Sequence, residues 1–255
     1  MLNSVKDLKG FSLVAGSDEI GHLHELYFDD HLWVVRHLVV DTGGWMSGRR
    51  VLVSPHAVQS IDVQQRQLQV SLTRQQVENA PDADTDRPVS RQYEIAAYDF
   101  YGYPYYWNGA GLWGMFDMPI AGVVVPPRPL PDDNADTAAA QPELSGHPDP
   151  TLRSSREVTG YAVAATDGAI GHVHDFLFDA RTWQVLLMVV DTHDWLPDRL
   201  VLIPPAWVEA VDWTAHHVRV NVSRQRVESS PAYKAGQTFQ GDEVARAQRH
   251  FEGMV

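Results

Sequence analysis

Twice in this sequence two histidines stand one residue apart: His22 and His24, then His172 and His174. Residues i and i+2 of an extended strand share a face. Each pair could therefore present two imidazoles to one zinc, nickel or copper ion. Two nitrogens fall short of a full ligand set. The adjacent carboxylates, Glu25 and Asp175, point to the opposite face by strand parity unless a bulge intervenes. One reading is a metal sensor or metal-dependent enzyme. The preferred reading is a pair of solvated surface histidines in each place, with no metal and no cofactor.

Carboxylates recur as well, at Asp29 and Asp179 and at Asp41 and Asp191. Such pairs suit acid–base work or calcium. They suit equally the end of a strand, where an aspartate accepts from nearby backbone amides and fixes a turn, and that is the preferred reading. The chain has no cysteine, which excludes thiolate catalysis, disulfides and cysteine-ligated metal. No Ser, His and Asp follow one another in a hydrolase order, and no glycine-rich phosphate loop is present. The residues name no enzyme.

Aromatic residues offer a different chemistry, that of contact. Trp33 and Trp183 sit where a turn enters an apolar strand and are expected to pack. Trp45 and Trp195 follow turn residues and are expected half exposed, as interface candidates. The densest stretch is YDFYGYPYYWNGAGLWGMF, residues 98–116, with Tyr101, Tyr103, Tyr105, Tyr106, Trp107 and Trp113 as contact candidates and glycines that loosen the chain. It either docks on a partner, or associates with itself, or folds back over the first module. The sequence leaves these open.

The elements that must position these residues come in two copies. Shifted by 150, the sequence matches itself without a gap: IGHLHELYFDD meets IGHVHDFLFDA, VVDTGGW meets VVDTHDW, RRVLVSP meets RLVLIPP, and RQQVENAP meets RQRVESSP. About a third of positions between 10 and 81 are identical, far beyond chance. Each copy alternates short apolar runs with turn residues. In the first they are Phe11–Val14, Gly21–Phe28, Val34–Asp41, Arg50–Val53, Ser60–Asp62 and Gln67–Leu72, which predicts strands joined by tight turns. A module this small must hide its sheet edges, so a small barrel is expected, with one helical turn before Pro81 and Pro231.

The chain thus reads as an all-β protein. Its expected parts are a first barrel over 1–81 and a helix candidate with the aromatic, glycine-rich segment over 82–122. A proline-rich acidic linker follows over 123–152, then a second barrel over 153–231 and a helical tail over 232–255. The two barrels are expected to pair within the chain, with residues 126–150 poorly ordered; a homo-oligomer is the alternative.

Charge narrows the partners. Residues 79–152 carry 3 basic and 11 acidic side chains and hold most of the net charge of −13. The modules are near neutral and lack a basic face, which disfavours nucleic acid and anionic membrane surfaces. No apolar run is long enough to span a bilayer, and the opening residues do not read as a secretory signal, so a cytoplasmic location is expected.

The opening DLKG, then IG-x-x-x-E/D-x-x-F-D, VVDTGGW and the VLVSP strand resemble the PRC-barrel family, over residues 4–81 and again over 154–231. That family includes the cytoplasmic domain of the photosynthetic reaction-centre H subunit and the C-terminal domain of bacterial ribosome-maturation factors. The segment RQYEIAAYDFYGYPYYW resembles the tail that often follows bacterial PRC-barrels. The resemblance implies a small barrel that binds protein partners, and it carries no catalytic residues over. The functions weighed are a cytoplasmic adaptor in assembly or stress response and an H-subunit-like accessory of a membrane complex, beside the metal-binding reading.

Overall fold

The structure is a computed structural model that describes residues 1–46, 48–81, 89, 91–120, 152–193, 195–196, 199–234 and 236. The first copy contains β1 (Leu2–Ser4), α1 (Val5–Leu8), β2 (Ser12–Ala15), β3 (Asp18–Asp29), β4 (Val34–Asp41), β5 (Arg50–Val53), β6 (Val58–Asp62), β7 (Gln67–Val70) and α2 (Arg74–Glu78). Helix α3 (Arg91–Tyr101) follows. The second copy repeats the series at the same offset: β8 (Leu152–Ser154), α4 (Ser155–Val158), β9 (Ala162–Ala165), β10 (Gly168–Asp179), β11 (Val185–Asp191), β12 (Leu200–Ile203), β13 (Val208–Asp212), β14 (His217–Val220) and α5 (Arg224–Glu228). A short β15 (Ala232–Tyr233) pairs with β12.

The protein is all-β in class, as expected. One sheet runs β5-β4-β3-β2-β7-β6 and the other β13-β14-β9-β10-β11-β12-β15. Strand β11 is a run of Val, Leu and Met, and β4 a run of Val and Leu around buried Arg36 and His37; both are buried on most side chains, the pattern of strands covered on both faces. The IG of each copy has a steric reason. Gly171 lies at φ +143°, and a Cβ there would fall 1.8 Å from the carbonyl oxygen of Asp191. Gly21 meets the Asp41 carbonyl in the same way, so neither position admits a side chain. After β7, Thr73 and Gln76 form a reciprocal capping box that starts α2, and Ser223 caps α5.

The chain divides into two compact units. One comprises Met1–Lys9, Glu25–Arg36 and Arg153–Val255; the other comprises Gly10–His24 and His37–Leu152.

Within the first unit, the opening segment of the first copy completes the sheet of the second. Strand β1 pairs antiparallel with β10 in the register Leu2↔Asp179, Asn3↔Phe178, Ser4↔Leu177. Ser4 is the N-cap of α1, accepting from the Asp7 amide at 2.9 Å, and its hydroxyl donates to Asp175 Oδ2 at 2.5 Å. The Lys6 amide donates to Asp175 Oδ1 at 2.9 Å. The second copy reciprocates, with β8 pairing with β3. Ser154 caps α4 and donates to the Glu25 carboxylate, the Leu26 amide donates to Ser155 Oγ, and Arg153 pairs with Asp30.

Both carboxylates are buried, on the face opposite the histidine pairs, as strand parity indicates. The register of β10 against β11 slips between Val173 and Asp175, and β3 has the same burial pattern around Glu25.

Candidate interaction surface

In the second unit α3 brings a polar and an aromatic cluster together. Glu94, Ala97, Tyr98 and Tyr101 recur at helical spacing and are buried. Glu94 Oε1 lies 2.6 Å from His37 Nε2 on β4 and accepts from the Tyr106 hydroxyl at 2.8 Å. Its Oε2 faces Arg91 Nη1 at 2.9 Å, and Arg91 also donates to the Tyr106 hydroxyl at 3.1 Å. The His37 and Glu94 side chains are 1% and 0% exposed. A histidine–carboxylate couple can move protons in a cleft. Enclosed here, its bonds fasten α3 to β4.

Around this network the aromatic segment closes over His56. The His56 ring stacks on Tyr103 at 5.3 Å and meets Trp113 edge-on at 5.1 Å. Tyr98 touches the His37, His56, Tyr103 and Tyr106 rings, and its hydroxyl lies 3.3 Å from Ser54 Oγ. Tyr105 and Trp107 stack at 4.7 Å, and the Arg91 guanidinium sits 4.2 Å above the Trp107 ring. Burial pushes the hydroxyls of Tyr93, Tyr101 and Tyr103 above the ordinary tyrosine range.

The glycines of this stretch tighten the chain rather than loosen it. Gly111 and Trp113 bond to Gly114 and Phe116 in a small hairpin, and a Cβ on Gly109 would lie 2.3 Å from the Gly114 carbonyl oxygen. The segment folds back as a cap on the second unit.

Several contact candidates are consequently spent on packing. Tyr101, Tyr106 and Trp113 are buried; Tyr103, Tyr105 and Trp107 are half-buried and occupied by neighbouring rings. In and beside this segment, the exposed apolar side chains are ones that the aromatic count overlooked. Met115 is 85% exposed, Phe116 40%, Met118 38% and Phe100 41%. Their signal was faint, since a Met-Phe-x-Met run differs little from a core sequence. Trp195 is half-buried under the Arg224 guanidinium. The side chain of Trp45 lies outside the described residues.

Among the described residues the histidine pairs gather no third ligand. His22 is exposed beside Glu19, at 3.5 Å, and His174 faces the Lys6 ammonium at 3.2 Å, where a bound cation would be repelled. His172 is exposed and His24 half-buried. Among the described residues no three of His, Asp and Glu converge on one point. The repeated aspartates end strands: Asp29 accepts from the His31 amide, Asp179 from Arg181, Asp41 from Gly43 and Asp191 from His193. Residues 126–150 and the tail from 237 onward lie outside the described residues. Among the described residues no helix is long and apolar enough to cross a membrane.

No curated protein matches the chain in sequence. The family model of the PRC-barrel domain matches residues 2–77, spanning β1 through most of α2. With β1, the paired β2 and β7, and the IG motif explained by its strand crossing, residues 2–77 of this chain are similar to the PRC-barrel domain, in general a protein-interaction module.

Proposed function

We propose that this chain is a non-enzymatic adaptor that binds a protein partner through the apolar surface of its aromatic cap. The carrying observation is the exposure of Met115, at 85%, beside Phe116 and Met118 on a hairpin anchored by the fully buried Trp113. An exposed side chain on a fixed support loses little further freedom on binding. Methionine adapts its shape to varied partners, and phenylalanine supplies area. The side chains that could do chemistry have structural work instead, which supports a binding role: His37 and Glu94 hold α3, and the aspartates hold turns. In this reading the partner is a protein of a larger cytoplasmic assembly.

A photo-crosslinking residue placed at Met115 tests this, with the exposed Val63 as the control site. The expected result is a discrete crosslinked protein from Met115, absent from Val63 and lost in Phe116→Asp. Equal products from both sites, or none from Met115, would overturn the reading.

A further inference from the structure

Outside the aromatic cap, the first unit contains a recognition event already made within the chain. A segment reading Leu-x-Ser-x-basic-acidic-aliphatic occurs twice: Leu2 to Leu8 and Leu152 to Val158. The serine of each bonds a buried carboxylate of the other copy, Asp175 for Ser4 and Glu25 for Ser154. The partners Ser4 and Asp175 stand 171 residues apart in sequence, so no short connection forces the pairing. The fit itself selects it. The elements of that fit are three backbone-paired residues, the buried Leu2 and Leu8, and a hydroxyl and an amide on one carboxylate.

We propose that the edge of β10 ending at the Asp175 bulge is a strand-acceptor site for the Met1–Lys9 segment of a second copy of this chain, so that two chains associate by trading these segments. The occupant is specified by the seat. Leu177–Asp179 offers backbone pairing to any strand, but Asp175 lies where it receives a serine hydroxyl and the amide two residues on. Burial raises the Asp175 carboxyl above its usual range while Ser4 and the Lys6 amide pull it back, so a strand lacking that serine leaves a buried carboxylate poorly satisfied. Within one chain the segment is held near its seat at high effective concentration, and trading between chains is the same contact without that advantage. This is independent of the cap surface, which lies in the other unit.

The test is complementation between two full-length variants. Leu2→Asp spoils the donor segment and keeps the acceptor; Asp175→Ala spoils the acceptor and keeps the donor. Differently tagged, mixed and observed by native mass spectrometry, they are expected to form a one-to-one heterodimer at concentrations where neither forms a homodimer. A synthetic peptide of residues 1–10 is expected to raise the melting temperature of Leu2→Asp by several degrees, and not that of Leu2→Asp/Asp175→Ala. If Leu2→Asp does not fold, Ser4→Ala, which retains the apolar anchor, takes its place in both arms. A mixture that stays at the two monomer masses overturns the proposal, even with a peptide shift, because the edge would then accept a segment but not from a second chain. An equal peptide shift in the double variant overturns it too, since Asp175 would not be the reader.

Discussion

At the scale of residues, the carboxylates matter more than the histidines beside them. Asp175 is desolvated, and this outweighs the Ser4 and Lys6 bonds, so its proton is held more tightly when folded than unfolded. A raised folded value means that the protonated form is favoured by folding. The contribution is present below the unfolded value near 3.8 and is lost as pH rises through the folded value. In urea melts from pH 3 to 7, wild type should lose stability relative to Asp175→Asn as pH rises from about 3.8, then run parallel to it. A difference that does not change with pH would contradict this. The buried His37–Glu94 pair calls for a different argument. The second copy has Leu187 at the place of His37, so the fold itself accepts an apolar residue there. His37→Leu should cost about 2–4 kcal/mol because it deprives buried Glu94 of a partner. The double change with Glu94→Leu should cost clearly less than the sum of the singles, as a thermal or denaturant double-mutant cycle would show.

At the scale of elements, the hairpin within residues 109–116 depends on close backbone approach. A methyl group at Gly109 would collide with the Gly114 carbonyl, so Gly109→Ala should open the hairpin. Limited proteolysis should then cut between residues 105 and 118, where the wild type resists. Trp113 fills the space between His56 and Tyr106. Trp113→Ala should destabilise this unit by about 3–5 kcal/mol and remove most of the near-ultraviolet dichroism of the ring cluster, read in the same melts. Strand elements were largely legible beforehand. Val34–Asp41 and Arg50–Val53 form as the apolar alternation indicates, and the single helical turn before Pro81 appears with its capping box. The segments β1 and β8 were not legible, because three residues carry no period. Their extended form is imposed by the strand that receives them.

At the scale of the whole molecule, the first unit is assembled from stretches on both sides of residues 121–151. Cleavage at a protease site inserted there should yield fragments that still co-elute on gel filtration, since residues 1–9 and 25–36 remain part of that unit. Fragments that separate at micromolar concentration would show the exchange to be too weak to hold without the covalent link.

The sequence by itself determined the duplication, the all-β class, the strand positions and the turn roles of the aspartates. Each of these rests on local propensity or on self-comparison, which need no knowledge of what lies across space. Tertiary structure decided which strand takes Leu2–Ser4, that Asp175 meets Ser4, that His37 meets Glu94, and that Trp113 is buried while Met115 is exposed. Composition cannot separate a buried aromatic from an exposed one, because both are the same residue. What distinguishes them is whether another surface comes within van der Waals reach, and that depends on contacts between residues distant in sequence.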